Sequence, residues 1–262
     1  MNQLTLNHVI TALGGGQSVT AFFLVLGRVT PLFVLAPLFS AKQIPAQVKG
    51  IVAVALTIGL TGLAMHGQTI PTQPLQVAGM LVVQILVGIL FAYAIGALMW
   101  AVQTAGGFAD IVSGFSFGAT VDPINGNQGG TFAEVYSMIG VMLFIAIGGD
   151  AWIIRGMART FTLIPLTKAP QLGSLANAAE MSFASIFTSA LEVAAPVILA
   201  LLITDVAFGM VSRVVPQMNV FSVAFPLKVG VSLLAVAATL PFLGGWLQNQ
   251  IYTSVATALH AF

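Results

Sequence analysis

Cysteine is absent from this 262-residue chain, which excludes disulfides, iron–sulfur clusters, thiolate zinc sites and a cysteine nucleophile. Charge is nearly as scarce. Charged residues make up 6% of the sequence, eight basic against seven acidic, whereas a soluble domain carries roughly 25% to keep its surface wet. So few charges cannot solvate the outside of a globule of this size. The net charge of +1 is spread along the chain and forms no basic patch, so nucleic acid is not an expected partner. What is abundant is apolar: 58% of residues, with a mean hydropathy of +1.02. That surface must face lipid or other protein, which makes this a membrane chain. Residues 1–18 have no basic leader and carry GGG before a longer apolar stretch, so no cleavable signal is expected there.

Six apolar stretches stand out, at about 19–39, 50–65, 75–102, 132–154, 183–211 and 220–247. All are expected to be helices, because an isolated strand cannot satisfy its backbone in lipid. A hydrocarbon core takes about 20 helical residues, so the second stretch is short and the third and fifth are long. The segments 40–50, 66–74, 104–131 and 155–174 read as loops, and 248–262 as a short packed helix. Lys42 and Lys49 would place the first loop in the cytoplasm, and Arg155, Arg159 and Lys168 would place the 155–174 loop there too. Three stretches lie between them, and an odd number of crossings forbids both. The expected fold is therefore all-α and integral to the membrane, but not a bundle of straight spans.

Charges and prolines point the same way. Arg28, Glu134, Asp150, Glu192, Asp205, Arg213 and Lys228 lie in apolar stretches or at their ends. Each would cost about 2.5–3.5 kcal/mol facing lipid at mid-bilayer, so each should face protein or water. Pro31, Pro37, Pro196, Pro226 and Pro241 are expected to kink or end helices. Gly88, Ala92 and Gly96 make a small-residue stripe of the kind that admits a second helix closely.

Catalytic chemistry is hard to find. His8, His66 and His260 have no second ligand three or four residues away. No phosphate-binding loop, G-x-S-x-G or H-E-x-x-H occurs. Glu192 and Asp205 lie about 220° apart on a helical projection and share no face. No enzyme activity, metal or cofactor is expected. The most unusual segment is GGFADIVSGFSFGATVDP at 106–123, where Gly106, Gly107, Gly114 and Gly118 free the backbone and Phe108, Phe115 and Phe117 supply bulk. Asp122-Pro123 closes it with turn chemistry. It reads equally as a pore-obstructing loop and as a connector with buried anchors.

Over nearly its whole length the chain resembles the FliR family of the flagellar type III protein export gate, whose injectisome counterparts form the SctT family. The resemblance is carried by signatures in order: Arg28-Val-Thr-Pro31, Pro37, Ile44-Pro45 with Lys49, then Ala105-Gly106-Gly107 and Gly114-Phe-Ser-Phe-Gly118-Ala-Thr-Val-Asp122-Pro123. The block from Ala195-Pro196 through Asp205, Gly209 and Arg213-Val-Val-Pro216-Gln217-Met-Asn219-Val-Phe221 to Phe225-Pro226-Leu-Lys228 matches most strongly.

The resemblance implies a single export-gate domain over 1–262, made of long kinked helices and hairpins in a heteromeric helical assembly. It would be a pore subunit, built with FliP and FliQ and alongside FlhA and FlhB, that passes unfolded flagellar proteins. Its place would be the bacterial inner membrane, in the flagellar basal body and in contact with lipid. The stretch Gly106 to Asp122 would plug the closed channel, obstructed by Phe115 and Phe117 and hinged at Gly107, Gly114 and Gly118. Arg28, Pro37, Pro45, Lys49, Arg213, Pro216, Asn219, Phe221, Pro226 and Lys228 would hold subunit contacts. The short tail implies none of the extra domain of members fused to the neighbouring switch protein. An injectisome gate subunit is the alternative, and a secondary transporter or ion channel a further one. The latter usually shows an internal repeat, and none is found.

Overall fold

A computed structural model describes residues 15–36, 39–40, 44–116, 130–217 and 219–260, and among them only helices and their connections. The helices are α1 (Gly15–Val29), α2 (Leu32–Leu35), α3 (Ala46–Met65), α4 (Pro74–Ser113), α5 (Thr131–Ala146), α6 (Gly149–Leu163), α7 (Leu172–Val214) and α8 (Val220–His260). Among the described residues, five segments are long and apolar enough to cross a membrane: Gly16–Leu35, Ala46–Met65, Pro74–Ser113, Leu172–Val214 and Ser222–Ser254. The chain is an all-α integral membrane protein.

Local chemistry sets where these helices stop. Pro74 opens α4 at a position where its missing N–H is no loss. Gly67 follows α3 at φ +72°, and Gly114 follows α4 at φ +90°, left-handed closures that favour glycine. Gly148, at φ +71°, breaks the fourth apolar stretch in two. The expected single helix over 132–154 is thus α5 and the start of α6. Its carbonyl accepts from the N–H groups of Ala151 and Trp152, and Asp150 sits in the first turn of α6, where an anion is favoured.

One expectation is corrected here. The segment 155–174 is not a loop throughout, because α6 runs to Leu163. Its buried residues Gly149, Ile153, Gly156, Met157, Thr160 and Phe161 recur every three or four positions, while Arg155 and Arg159 are exposed. This is an amphipathic helix. Of the two outcomes expected at Pro196, Pro226 and Pro241, kinking or ending a helix, ending does not occur: each lies inside α7 or α8.

The described residues form two compact units, neither continuous in sequence: those of Met1–Gly96, Gly148–Ser182 and Tyr252–Phe262, and those of Ala97–Ile147 and Phe183–Ile251. In the first unit, α1 packs on α3 and α3 on α6, around Ala21, Leu24, Val25, Phe91, Ile153 and Met157. The stripe residue Gly88 faces the backbone carbonyl of Arg28, where a Cβ would collide, so α1 and α4 meet main chain to main chain. In the second unit the parts of α7 and α8 form an antiparallel hairpin. Asp205 pairs with Lys228 (2.8 Å), the Trp246 indole N–H donates to Glu192 (3.1 Å), and the Gln250 amide donates to Ser189 (3.2 Å). The hairpin turn follows from its residues. Pro216 cannot extend α7, and the Asn219 side chain accepts from the Ser222 N–H as an N-cap for α8.

Candidate functional site

The glycine-rich segment enters the structure as helix. Gly106, Gly107 and Phe108 belong to α4, which continues to Ser113, so the first ten residues of the loop expected at 104–131 are helix. The two adjacent glycines do different things. A Cβ on Gly106 would run into the Phe132 carbonyl and lie 2.6 Å from Ala133 Cα. A Cβ on Gly107 would meet nothing within 4 Å. Gly106 is therefore a close-approach residue, which lets α5 start directly against α4.

Asp110 joins the two sides of the loop. It is 1% exposed. One carboxylate oxygen accepts from the Phe132 N–H and the other from the Ala133 N–H, both at 2.9 Å. These are donors that the first turn of α5 leaves open, so Asp110 caps a helix from 22 residues away. Its own carbonyl accepts from the Gly114 N–H (3.2 Å) and the Ser113 hydroxyl (3.2 Å), closing the end of α4. One residue thus finishes one helix and starts the next. Gly130 must be glycine here, because a Cβ would meet the Asp110 carboxylate. Phe115 stacks edge-on against Phe132, with ring centroids 5.1 Å apart. The chain leaves at Gly114, bonded to the Asp110 carbonyl, and returns after Gly130 to the Asp110 carboxylate.

Alanine at Asp110 should strand two buried N–H groups at a cost of about 1–3 kcal/mol. Asparagine should rescue little, since its amide offers one oxygen for two donors. Amide hydrogen exchange reads this directly. Phe132 and Ala133 should lose protection in Asp110→Ala while Ile153 keeps its own. Unchanged protection at Phe132 would show that the cap is idle.

The expected gate residues thus divide. Gly106, Gly107 and Phe108 lie on α4, and Gly114 is the left-handed closure. Phe115, expected to obstruct the pore, packs edge-on against Phe132. Phe117, Gly118, Asp122 and Pro123 lie outside the described residues. Sequence reasoning missed Asp110 altogether. The available signal was a lone carboxylate in an apolar run beside two glycines.

The expected assembly contacts divide as well. Arg28 is fully buried, and its guanidinium serves its own chain. Nε donates to Gln84 Oε1 (2.7 Å), and the terminal nitrogens donate to the carbonyls of Thr160 and Ile164 (both 3.0 Å). The Phe161 ring lies 4.4 Å beneath. Gln84 in turn donates to the Leu166 carbonyl at 3.0 Å. A side chain so enclosed is an internal clamp on the end of α6. Lys49 donates to the Ser40 carbonyl (2.9 Å), and Lys228 is taken up by Asp205. Pro45, Arg213, Pro216, Asn219 and Pro226 are exposed. Phe221 lies in the first turn of α8, and Pro37 lies outside the described residues.

Among the described residues no three His, Asp or Glu side chains gather where a metal could bind. Comparison with known proteins is more informative. The model of the family "bacterial export proteins, family 1" matches residues 19–254. The flagellar biosynthetic protein FliR of Escherichia coli is 28% identical over 228 residues, 87% of each chain. FliR of Bacillus subtilis is 28% identical over 242 residues, 90% of this chain and 92% of its own. The surface presentation of antigens protein SpaR of Shigella flexneri is 27% identical over 229 residues, 84% of this chain and 85% of its own.

Proposed function

Since the chain belongs to bacterial export proteins, family 1, the FliR family, and is thereby a subunit of a type III export apparatus, we propose that it is a pore subunit of the flagellar gate whose segment between Gly114 and Gly130 plugs the closed channel. The observation that supports the plug is the shared base of that loop. Asp110 holds Gly114 and the first turn of α5 at one point. A segment anchored this way can enter and leave a pore while α4 and α5 keep their hydrogen bonds. On this reading the companion subunits are FliP and FliQ, with FlhA and FlhB beside them, in the inner membrane at the basal body. The cargo is unfolded flagellar protein, and the chain has no catalytic role. The exposed residues Arg213, Pro216 and Asn219 at the α7–α8 turn are then the better candidates for subunit contacts. A virulence-type secretion gate is the second reading, because SpaR stands at 27% identity where FliR stands at 28%.

Deleting residues 117–129 tests the plug. This excision spares Asp110, Gly114 and Gly130, whereas removing Gly106 to Asp122 would cut into α4 and destroy the cap. In the assembled apparatus, reconstituted in planar bilayers, the deletion should raise resting ion conductance by an order of magnitude or more. Wild-type conductance from a correctly assembled deletion complex would sink the plug assignment.

A further inference from the structure

Within the first unit, the start of α4 and the turn after α6 enclose a half-open groove of about 350 Å³. Its wall is apolar: Leu75, Gly79, Met80 and Val83 on one face of α4, and Leu166 opposite. Lys168 stands at its edge, exposed, and among the described residues no acidic side chain lies within ion-pair distance of it. The turn is held from behind. The Ile164 and Leu166 carbonyls are fixed by Arg28 and Gln84, the Lys168 N–H donates to the Pro165 carbonyl (3.0 Å), and Thr167 lies 3.4 Å from the Gln68 amide oxygen. The lysine stem is therefore mounted on a rigid support.

We propose that this groove seats one anionic phospholipid of the surrounding bilayer, its phosphate at Lys168 and a chain along α4. Charge and depth together select that occupant. Leu75, Gly79 and Val83 align over about 12 Å at the beginning of a membrane-length helix, where lipid chains are the local solvent. A cation at the end of such a helix meets headgroups, and one lysine favours an anionic headgroup by about five-fold over a zwitterionic one. A free phosphate would leave the apolar wall unused. The volume, near the lower end of the roughly 300–1,000 Å³ typical of ligand sites, suits part of one chain rather than a whole lipid. The site stands independently of the plug.

Native mass spectrometry of the full chain in mild detergent tests it, with phosphatidylglycerol, phosphatidylcholine and glycerol phosphate as separate probes. Wild type should retain phosphatidylglycerol about five-fold better than phosphatidylcholine. Lys168→Gln should abolish that preference. Gly79→Phe should lower retention of both lipids, because a Cβ at Gly79 meets only open space and the ring fills the groove rather than the core. An unchanged melting temperature in both variants separates loss of the site from loss of fold. The proposal is overturned by equal retention of the two lipids by wild type, by an intact preference in Lys168→Gln, or by undiminished binding in a folded Gly79→Phe. Binding of glycerol phosphate as tight as the lipid's would also overturn it, in favour of a simple anion site.

Discussion

Methionine in place of Arg28 is expected to lower the stability of the chain by about 2–4 kcal/mol, because it strands buried acceptors and leaves a gap over Phe161. Two effects oppose each other here. Removing the guanidinium also removes the cost of burying a cation, which alone would stabilise. The stranded partners win, since Gln84 Oε1 and the Ile164 carbonyl lose their donor where water cannot replace it. Gln84→Leu should cost at least as much, for it leaves the cation in place with Nε unmatched and releases the Leu166 carbonyl. The double variant should then cost less than the sum of the two. Arg28→Lys should not rescue, because one ammonium cannot span Gln84, Thr160 and Ile164 as the planar fork does. Unfolding of the purified chain in mild detergent measures all four. Strict additivity would mean that the clamp is not a unit.

The adjacent glycines of α4 should respond with opposite signs. Gly106→Ala drives a methyl group into the backbone of Phe132 and Ala133, which cannot yield as a side-chain tip can. A cost of about 1–3 kcal/mol is expected. Gly107→Ala meets open space in the same helix and should stabilise by roughly 0.5–1 kcal/mol, because glycine is the poorer helix former. Hydrogen exchange at Phe132 should rise only in the first variant, as α5 is pushed from the Asp110 carboxylate. Equal tolerance at both positions would refute the close approach of α4 and α5.

The contrast between these neighbours shows what the sequence could carry. Two consecutive glycines suggest a loop, and nothing local distinguishes one that admits another backbone from one that is merely small. The long apolar stretches were legible because their excess of apolar side chains has no soluble outlet. α6 was not, since a search for apolar runs passes over a helix whose exposed face holds Asp150, Arg155 and Arg159. Its spacing of Ile153, Met157, Thr160 and Phe161 was the available signal. Arg28 stood out as a lone charge, but its partners are mostly main-chain carbonyls, which no residue identity announces. The conflict over the positively charged loops also has a physical source. The break at Gly148 interrupts the fourth stretch, so three straight crossings need not separate Lys49 from Arg155.

α7 has 43 residues and α8 has 41. The part of α7 within the second unit, Phe183 to Val214, has 32 residues; at 1.5 Å per residue it is about 48 Å long, and even at a tilt of 40° it rises about 37 Å against a hydrocarbon core of about 30 Å. Its last turns are not dressed for water: Val206, Met210 and Val214 are exposed, as are Val223 and Leu227 across the turn. In a subunit of an export apparatus, a neighbouring polypeptide would keep such turns from water. The folded state of this chain is then stabilised by mass action. Its melting temperature in isolation should climb with the concentration of whatever binds there, and stability becomes a property of the mixture rather than of the molecule.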